Sequence, residues 1–192
     1  MFREGKKKYP KGFVEAIIND MNNVGFSLSN LGLRTPESII IENILPSEPV
    51  ALFVKEPDLE CKTDQIDMSQ GMFRTLSLLI QIHYSLFTAT QSCILIDDIG
   101  EGLDFERSSA LVKMLIERAK NTSIQLILAT NDRFIMNNVP LQYWSVIQRI
   151  GNVSKIYNQR NSPELFEDFT LTGLNNFDFF SSGYYIKGNR KN

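Results

Sequence analysis

The sequence predicts an α/β fold, a parallel sheet with flanking helices, and three stretches predict it. Cys93 to Asp97 is an apolar, β-branched-rich run that ends in two carboxylates, Asp97 and Asp98, and a glycine-containing turn. Such a run reads as a buried parallel strand that delivers acids to its C-terminal edge. Ile124 to Ala129 is a second apolar run, halting at Thr130, Asn131 and Asp132, and between the two Phe105 to Lys120 is amphipathic through Leu111, Met114 and Leu115. Two apolar strands joined by a helix form a right-handed βαβ unit, so Asp97, Asp98, Thr130 and Asn131 are expected as neighbours on one edge. That is the edge where open α/β sheets bind ligands.

Composition sets the class. At 192 residues, 43% apolar and 22% charged, the chain is an ordinary globular protein with enough apolar residues for a real core. The net charge of -2 gives no global electrostatic case for nucleic acid. The two cysteines, Cys61 and Cys93, are far apart, and Cys93 in an apolar strand is expected to behave as a small buried hydrophobe. A cytosolic, disulfide-free protein is the expectation. The most apolar helix candidate, Leu76 to Ala89, is interrupted by Ser77, Gln81, His83 and Ser85 and is too short to span a bilayer.

The remaining elements follow in order. Met1 to Lys11 carries Arg3, Lys6, Lys7, Lys8 and Lys11 around one glutamate. These cations suit phosphates of a nucleic acid, but a solvated, frayed terminus is the expectation. Phe13 to Met21 has helical spacing and then gives way to Asn, Gly and Ser, which predicts a short helix and a loop. Pro36 to Leu45 and Val50 to Lys55 read as a hairpin-like strand pair, and Glu56 to Asp67 as a polar surface loop. From Met68 apolar residues recur at helical spacing (Leu76, Leu79, Ile80, His83, Phe87), with Ser69 as N-cap and Gly71 near the first turn. Glycine there lets the backbone approach whatever lies in front of it. A helix start of this kind offers free N–H groups and a positive dipole end to a phosphate. His83 and Trp144 are read as packing residues, and Arg74, which could approach a phosphate from the first turns of its helix, as a surface residue. Tyr143 to Ile150 and Val153 to Asn158, joined by Gly151-Asn152, form a hairpin expected to complete the sheet edge. Pro163 to Phe169 is a helix candidate, and Phe177, Phe179, Phe180, Tyr184 and Tyr185 are expected to pack back on the domain.

The chemistry gathers at the strand end. Magnesium takes oxygen ligands, and an acid on a rigid strand end holds such an ion directly or through water; Asp97 is the candidate. Asp98, one residue on, points elsewhere and is placed to orient or deprotonate an attacking water.

The order of MSQG at Met68 to Gly71, ILIDD at Ile94 to Asp98, EGLD at Glu101 to Asp104 and a strand ending in ATND at Ala129 to Asp132 resembles the C-terminal half of an ABC-type ATPase head. The pattern is similar to AAA/ABC hybrid ATPases of the RecF, SMC and OLD kind, over roughly Ser38 to Gln148. The resemblance implies a P-loop NTPase-like sheet with flanking helices. It matches Ser69, Gln70 and Gly71 to the signature motif that lies over the γ-phosphate of ATP held by the opposite protomer. It matches Asp97 to the Walker B aspartate that positions Mg²⁺, and Asp98 to the catalytic glutamate. Glu101 lies just ahead of Gly102, Leu103 and Asp104, which match the D-loop at the dimer interface, and Asn131 stands where the family often has a switch histidine.

Two positions depart from the pattern. Asp98 is one methylene shorter than glutamate, and Asn131 carries no titrating proton although it can donate to a phosphate oxygen. A larger departure is that GxxxxGK[ST], the loop that cradles phosphates, occurs nowhere in the chain; EGKKK at Glu4 to Lys8 lacks its upstream glycine and its Ser/Thr. The expected organisation is therefore 1–35 as a helix and loop leading in from a missing lobe or insertion, 36–160 as the ATPase-like lobe, and 161–192 as an aromatic tail packed on it. The missing lobe should leave exposed sheet edges or an exposed apolar face. The implied function is a partial ATPase domain whose ATP and Mg²⁺ are held together with a Walker A half, in cis or in trans, or with an intact protomer in a head-to-tail dimer. The alternatives are a non-hydrolysing module that docks on an intact ATPase, and a DNA repair or phage-defence ATPase component.

Overall fold

A computed structural model describes residues 1–37 and 49–187. The chain divides into two compact units, Met1–Ala129 and Thr130–Asn192, so the change of unit falls inside the segment 36–160.

The first unit begins with helix, not with a frayed terminus. Helix α1 (Phe2–Lys8) buries Phe2 and Gly5. The bare Cα of Gly5 faces the ring of Phe13, which an added Cβ would meet at 2.5 Å. Phe2 lies 6.1 Å from Phe13, and Phe13 meets Phe87 edge-on at 5.7 Å between ring centroids. This aromatic packing holds the terminus down, while Arg3, Lys6, Lys7, Lys8 and Lys11 stay exposed. Helix α2 (Phe13–Val24) runs three residues beyond the expected Met21 because Val24 continues its buried stripe of Phe13, Ile17 and Met21. Gly25, at φ 102°, ends it in a left-handed C-cap.

Strands β1 (Asn30–Arg34), β2 (Ala51–Lys55) and β3 (Thr63–Asp64) form an antiparallel sheet in the order β1-β2-β3. The partner of β2 is thus the segment expected as loop, with Leu31 opposite Val54 and both buried. The expected strand Pro36 to Leu45 lies outside the described residues from 38 onward. The polar segment read as surface loop supplies β3, because Asp64 is buried and pairs inward with Arg34 at 2.7 Å.

The central elements follow the prediction. Helix α3 (Gln70–Thr88), strand β4 (Ser92–Ile96), helix α4 (Phe105–Ala119) and strand β5 (Ile124–Leu128) succeed one another, and β4 pairs in parallel with β5, Ile96 opposite Leu128. Leu76, Leu79, Ile82, Leu111, Val112 and Leu115 are fully or almost fully buried, each contributing roughly 1.5–3 kcal/mol. The expectation of a strand buried on both faces is overturned. Burial alternates along both strands, so Ile94 and Ile124 are covered while Leu95 is 73% and Ile127 47% exposed. Cys93 lies on the same open face and is exposed, as is Cys61. An exposed apolar face is what the sequence led us to expect. No helix among the described residues is long and apolar enough to cross a membrane.

The three helices are tied together at Asp20. This carboxylate is fully buried on α2 and accepts from His83 of α3 at 2.7 Å and from Arg118 of α4 at 2.6 and 2.9 Å. His83 is therefore a core residue, as expected, with a polar partner that the sequence did not reveal.

The second unit contains α5 (Arg133–Asn138), a 3-10 turn (Leu141–Tyr143), β6 (Ser145–Ile150), β7 (Val153–Asn158), α6 (Pro163–Thr170), α7 (Asn176–Ser181) and α8 (Tyr184–Lys187). The hairpin forms through Gly151-Asn152 as predicted, but among the described residues β6 and β7 make a sheet of their own and do not complete the edge of the parallel sheet. Their inward residues Val146 and Tyr157 join Phe166, Phe169, Phe179 and Tyr185 in one core. Phe179 lies 4.6 Å from Phe166 and 5.1 Å from Phe169, and Tyr184 and Tyr185 pack with them, so these tail aromatics are packing residues, whereas Phe180 is exposed and stacks on Tyr185. Trp144 packs there too, its Nε1–H donating to the Val139 carbonyl at 3.1 Å.

Burial raises the pKa of Asp20, but the hydrogen bonds and charges of His83 and Arg118 outweigh it and leave the carboxyl below its usual range. Stability from this group is therefore present above the ordinary carboxylate range and is lost as pH falls through the lowered folded value. Asp20→Ala should reduce the unfolding free energy by roughly 3 kcal/mol, the low end for a broken buried pair because Arg118 also reaches water. Urea unfolding against pH measures both effects, and unchanged stability would show that the triad supports nothing.

Candidate functional site

Ser69 caps α3 in extended conformation, its Oγ accepting from the Met72 N–H at 3.2 Å, as the sequence predicts. Gly71, in the first turn, is buried, and what lies in front of it is the backbone of Gly102: an added Cβ would stand 2.1 Å from the Gly102 carbonyl oxygen and 2.8 Å from Leu103 Cδ2. Gly102 itself has φ 77°, a conformation glycine adopts without steric cost. The SQG start of α3 and the GLD turn before α4 thus meet at two glycines.

The acids stand at the end of β4. Asp97 and Asp98 are exposed, and Asp98 has φ 48°, a left-handed backbone uncommon for a residue with a Cβ though tolerated by aspartate. The strand therefore stops at Ile96 and the two carboxylates leave it on a turn. The rim is held by Ala129 N–H donating to the Ile96 carbonyl at 2.8 Å and Ile99 N–H donating to the Ala129 carbonyl at 3.3 Å.

At the far end of the turn Asp104 caps α4, its Oδ1 accepting from the Arg107 N–H at 2.8 Å and its Oδ2 pairing with Arg107 Nη1 at 2.8 Å. Arg107 also donates from Nε to the Gly25 carbonyl at 3.3 Å and lies over the Phe26 ring. The last predicted interface residue is thus locked to the C-cap of α2.

Arg74 has a partner set that the sequence reading as a surface residue missed. Its Nη2 donates to the Asp97 carbonyl at 2.9 Å and the Asp98 carbonyl at 3.2 Å, and its Nη1 pairs with Glu101. The signal available in the sequence was spacing: Arg74 follows Gly71 by three residues, so both sit on the helix face that meets the turn. A groove runs from Arg74, Asp97 and Glu101 at its polar end along Phe73 and Leu78 of α3 and Leu95 of β4.

The first unit therefore gathers Ser69, Gln70, Gly71, Asp97, Asp98, Glu101, Gly102, Leu103 and Asp104 around one turn. Asn131 is exposed and opens the second unit. It stands between Thr130, whose Oγ1 accepts from the Asp132 N–H at 3.1 Å, and Asp132, which caps α5 by accepting from Phe134 N–H at 2.7 Å. No group of three or more His, Cys, Asp or Glu side chains able to hold a metal ion occurs among the described residues.

No protein-family model matches the chain, and no curated protein matches it in sequence. Solved structures do match it in fold. A chain from work on the ATP-driven dimerization and DNA-stimulated activation of SMC ATPases is 16% identical with a TM-score of 0.56, over 88% of this chain and 98% of that one. The Smc head domain with a coiled coil and joint from Pyrococcus yayanosii is 14% identical with a TM-score of 0.57, over 85% of this chain and 30% of that one. The Smc head domain of Pyrococcus furiosus, solved with an extended coiled coil and bound to the C-terminal domain of ScpA, is 15% identical with a TM-score of 0.55, over 88% and 41%. The chain thus spans nearly all of the first and less than half of the other two. At these identities it is the architecture that is shared, and the fold of this chain is that of an SMC-type ATPase head domain.

Proposed function

We propose that this chain is the signature-bearing part of an ABC-type ATPase, contributing Ser69, Gln70, Gly71, Asp97, Asp98 and the turn Glu101 to Asp104 to a nucleotide held together with a Walker A half. The observation that carries this reading is the contact of Gly71 with Gly102, which brings the helix start, the acids and the interface turn to one place. The head-domain fold supports it independently.

The oxygen-only donor set suits magnesium. Magnesium is commonly held by one or two carboxylates and completed by water and substrate phosphates, an arrangement that exposed acids such as Asp97 and Asp98 suit. When bound, the ion would supply charge neutralisation at the phosphates. Asp97, exposed on the turn directly after β4, is the residue to hold it. Asp98 accepts a proton from, or orients, a water molecule. Ser69 and Gln70 are exposed at the start of α3, where the positive helix terminus suits phosphate oxygens, and Ser69 fixes that terminus by its cap, while Gly71 lets the turn pack against it.

The other half also has a surface to occupy. Leu95 and Ile127 stand exposed and directly paired on the open sheet face, and an apolar patch of this kind marks an interaction site. A Walker A-bearing lobe in cis or in trans is the occupant in this reading. A second reading, a non-hydrolysing module that docks on an intact ATPase, is favoured by Asp98 itself: its shorter side chain stands on a left-handed backbone where the family pattern has glutamate.

Three outcomes are expected. Mixing the chain with a Walker A-bearing half from the same source should give Mg-dependent ATP hydrolysis that falls about 100-fold or more in Asp98→Asn; phosphate release unaffected by that substitution would remove Asp98 from the mechanism. Added association without added turnover would select the docking module. Gly71→Ala should destabilise the first unit by about 1–3 kcal/mol, because the new methyl has no room against the Gly102 backbone, and thermal unfolding reads this directly. Leu95→Ser should change stability by no more than about 0.5 kcal/mol yet weaken association with the Walker A half, as sedimentation or calorimetry would show.

A further inference from the structure

We propose that Arg74 is the positioning residue of the acidic turn: its guanidinium fixes the backbone of Asp97 and Asp98 and thereby the direction in which both carboxylates leave the strand. The inference rests on the reading of Asp97 as the metal-holding acid and extends it to a residue that acts on the backbone of the turn through the Asp97 and Asp98 carbonyls.

The geometry is that of a clasp across three elements. Arg74 projects from the second turn of α3, and one nitrogen reaches two consecutive carbonyls, those of Asp97 and Asp98, while the other pairs with Glu101 at the far side of the same turn. The Asp97 carbonyl accepts from Arg74, and the Asp98 carbonyl accepts from both Arg74 and the Glu101 N–H, the latter at 3.0 Å. These bonds converge on the one residue of the turn that is not glycine yet has positive φ, Asp98 at 48°. A left-handed residue with a Cβ persists where surrounding contacts over-determine it, and Arg74 supplies contacts on both sides of it. Gly71, one turn earlier on the same helix face, prevents the turn from moving toward α3 by backbone contact with Gly102. Arg74 prevents it from moving away.

Lysine is not equivalent here. A single ammonium does not present the planar fork that spans two carbonyls and a carboxylate, so Arg74→Lys keeps the charge and loses the clasp. Outer groups that orient a metal-holding carboxylate typically change metal affinity 10–100-fold when altered, with no need for a change in global stability.

The test uses the full chain and two readouts, one of them metal-free. Amide hydrogen exchange at Glu101 and the HN–Hα coupling of Asp98 report the turn, and Mn²⁺ alone, which takes the same oxygen ligands as Mg²⁺, reports the carboxylates through paramagnetic broadening. In Arg74→Lys the expectation is an unchanged unfolding midpoint, Glu101 exchange at least tenfold faster, a changed Asp98 coupling, and Mn²⁺ binding 10–100-fold weaker. Should Arg74→Lys fold poorly, Glu101→Gln removes the charged partner from the exposed side and is expected to shift the same two readouts in the same direction. Exchange, coupling and Mn²⁺ affinity all matching the wild type would overturn the proposal. Exchange that rises while wild-type Mn²⁺ broadening is indifferent to Asp97→Asn would support the clasp and overturn the assignment of Asp97 to metal.

Discussion

The close approach of two backbones, Gly71 on α3 and Gly102 in the turn before α4, is the constraint from which the rest of the candidate site follows. Neither residue has a Cβ to keep the chains apart, and the space that a methyl group would need is already filled by a carbonyl oxygen and a leucine side chain. A helix start, a strand end and a helix cap are thereby drawn into one small region although more than thirty residues separate the first from the last in sequence. With the glycines in contact, Arg74 reaches the Asp97 and Asp98 carbonyls and Glu101 from one side. Arg107 secures Asp104 from the other. The carboxylates of Asp97, Asp98 and Glu101 are left exposed while the backbone of the turn is held.

Behind the site three helices are joined by a different interaction. Asp20 brings a fully buried negative charge into the junction of α2, α3 and α4, where His83 and Arg118 satisfy it. Such a cluster adds little net stability compared with apolar packing, but it penalises any arrangement of the three helices that leaves the carboxylate unpaired. The apolar stripe of α2 and the buried leucines of α3 and α4 supply the bulk of the burial free energy. The aromatic contacts of Phe2, Phe13 and Phe87 extend the same packing to the first helix.

The sheet shows what that packing does not cover. Residues alternate between faces along β4 and β5, so helices on one side satisfy Ile94 and Ile124 and leave Leu95 and Ile127 in solvent. A two-stranded parallel sheet with one apolar face open is unusual, because parallel sheets are ordinarily covered on both faces. This one observation connects the sequence, with its β-branched run, to the proposal of a second lobe.

Strong local signals were legible in the residues themselves. The periodicity of α3, α4 and the two parallel strands, the Ser69 cap and the Gly151-Asn152 hairpin all depend on short-range chemistry, so side-chain spacing and turn preference were enough. The core role of His83 and the packing of the tail aromatics were equally visible. Long-range pairing was not: α1 reads as a basic tail until Phe2 is placed beside Phe13, which Phe87 backs, and β3 reads as loop until Arg34 meets Asp64. Cys93 reads as buried because an apolar strand says nothing about how many of its faces are covered. Arg74 reads as surface because its three partners are carbonyls and a carboxylate more than twenty residues away. The sequence by itself thus determined on which kind of element each candidate residue sits. Only tertiary structure decided which backbones touch, which acids are held and which face stays open, because those depend on contacts between segments that no local periodicity encodes.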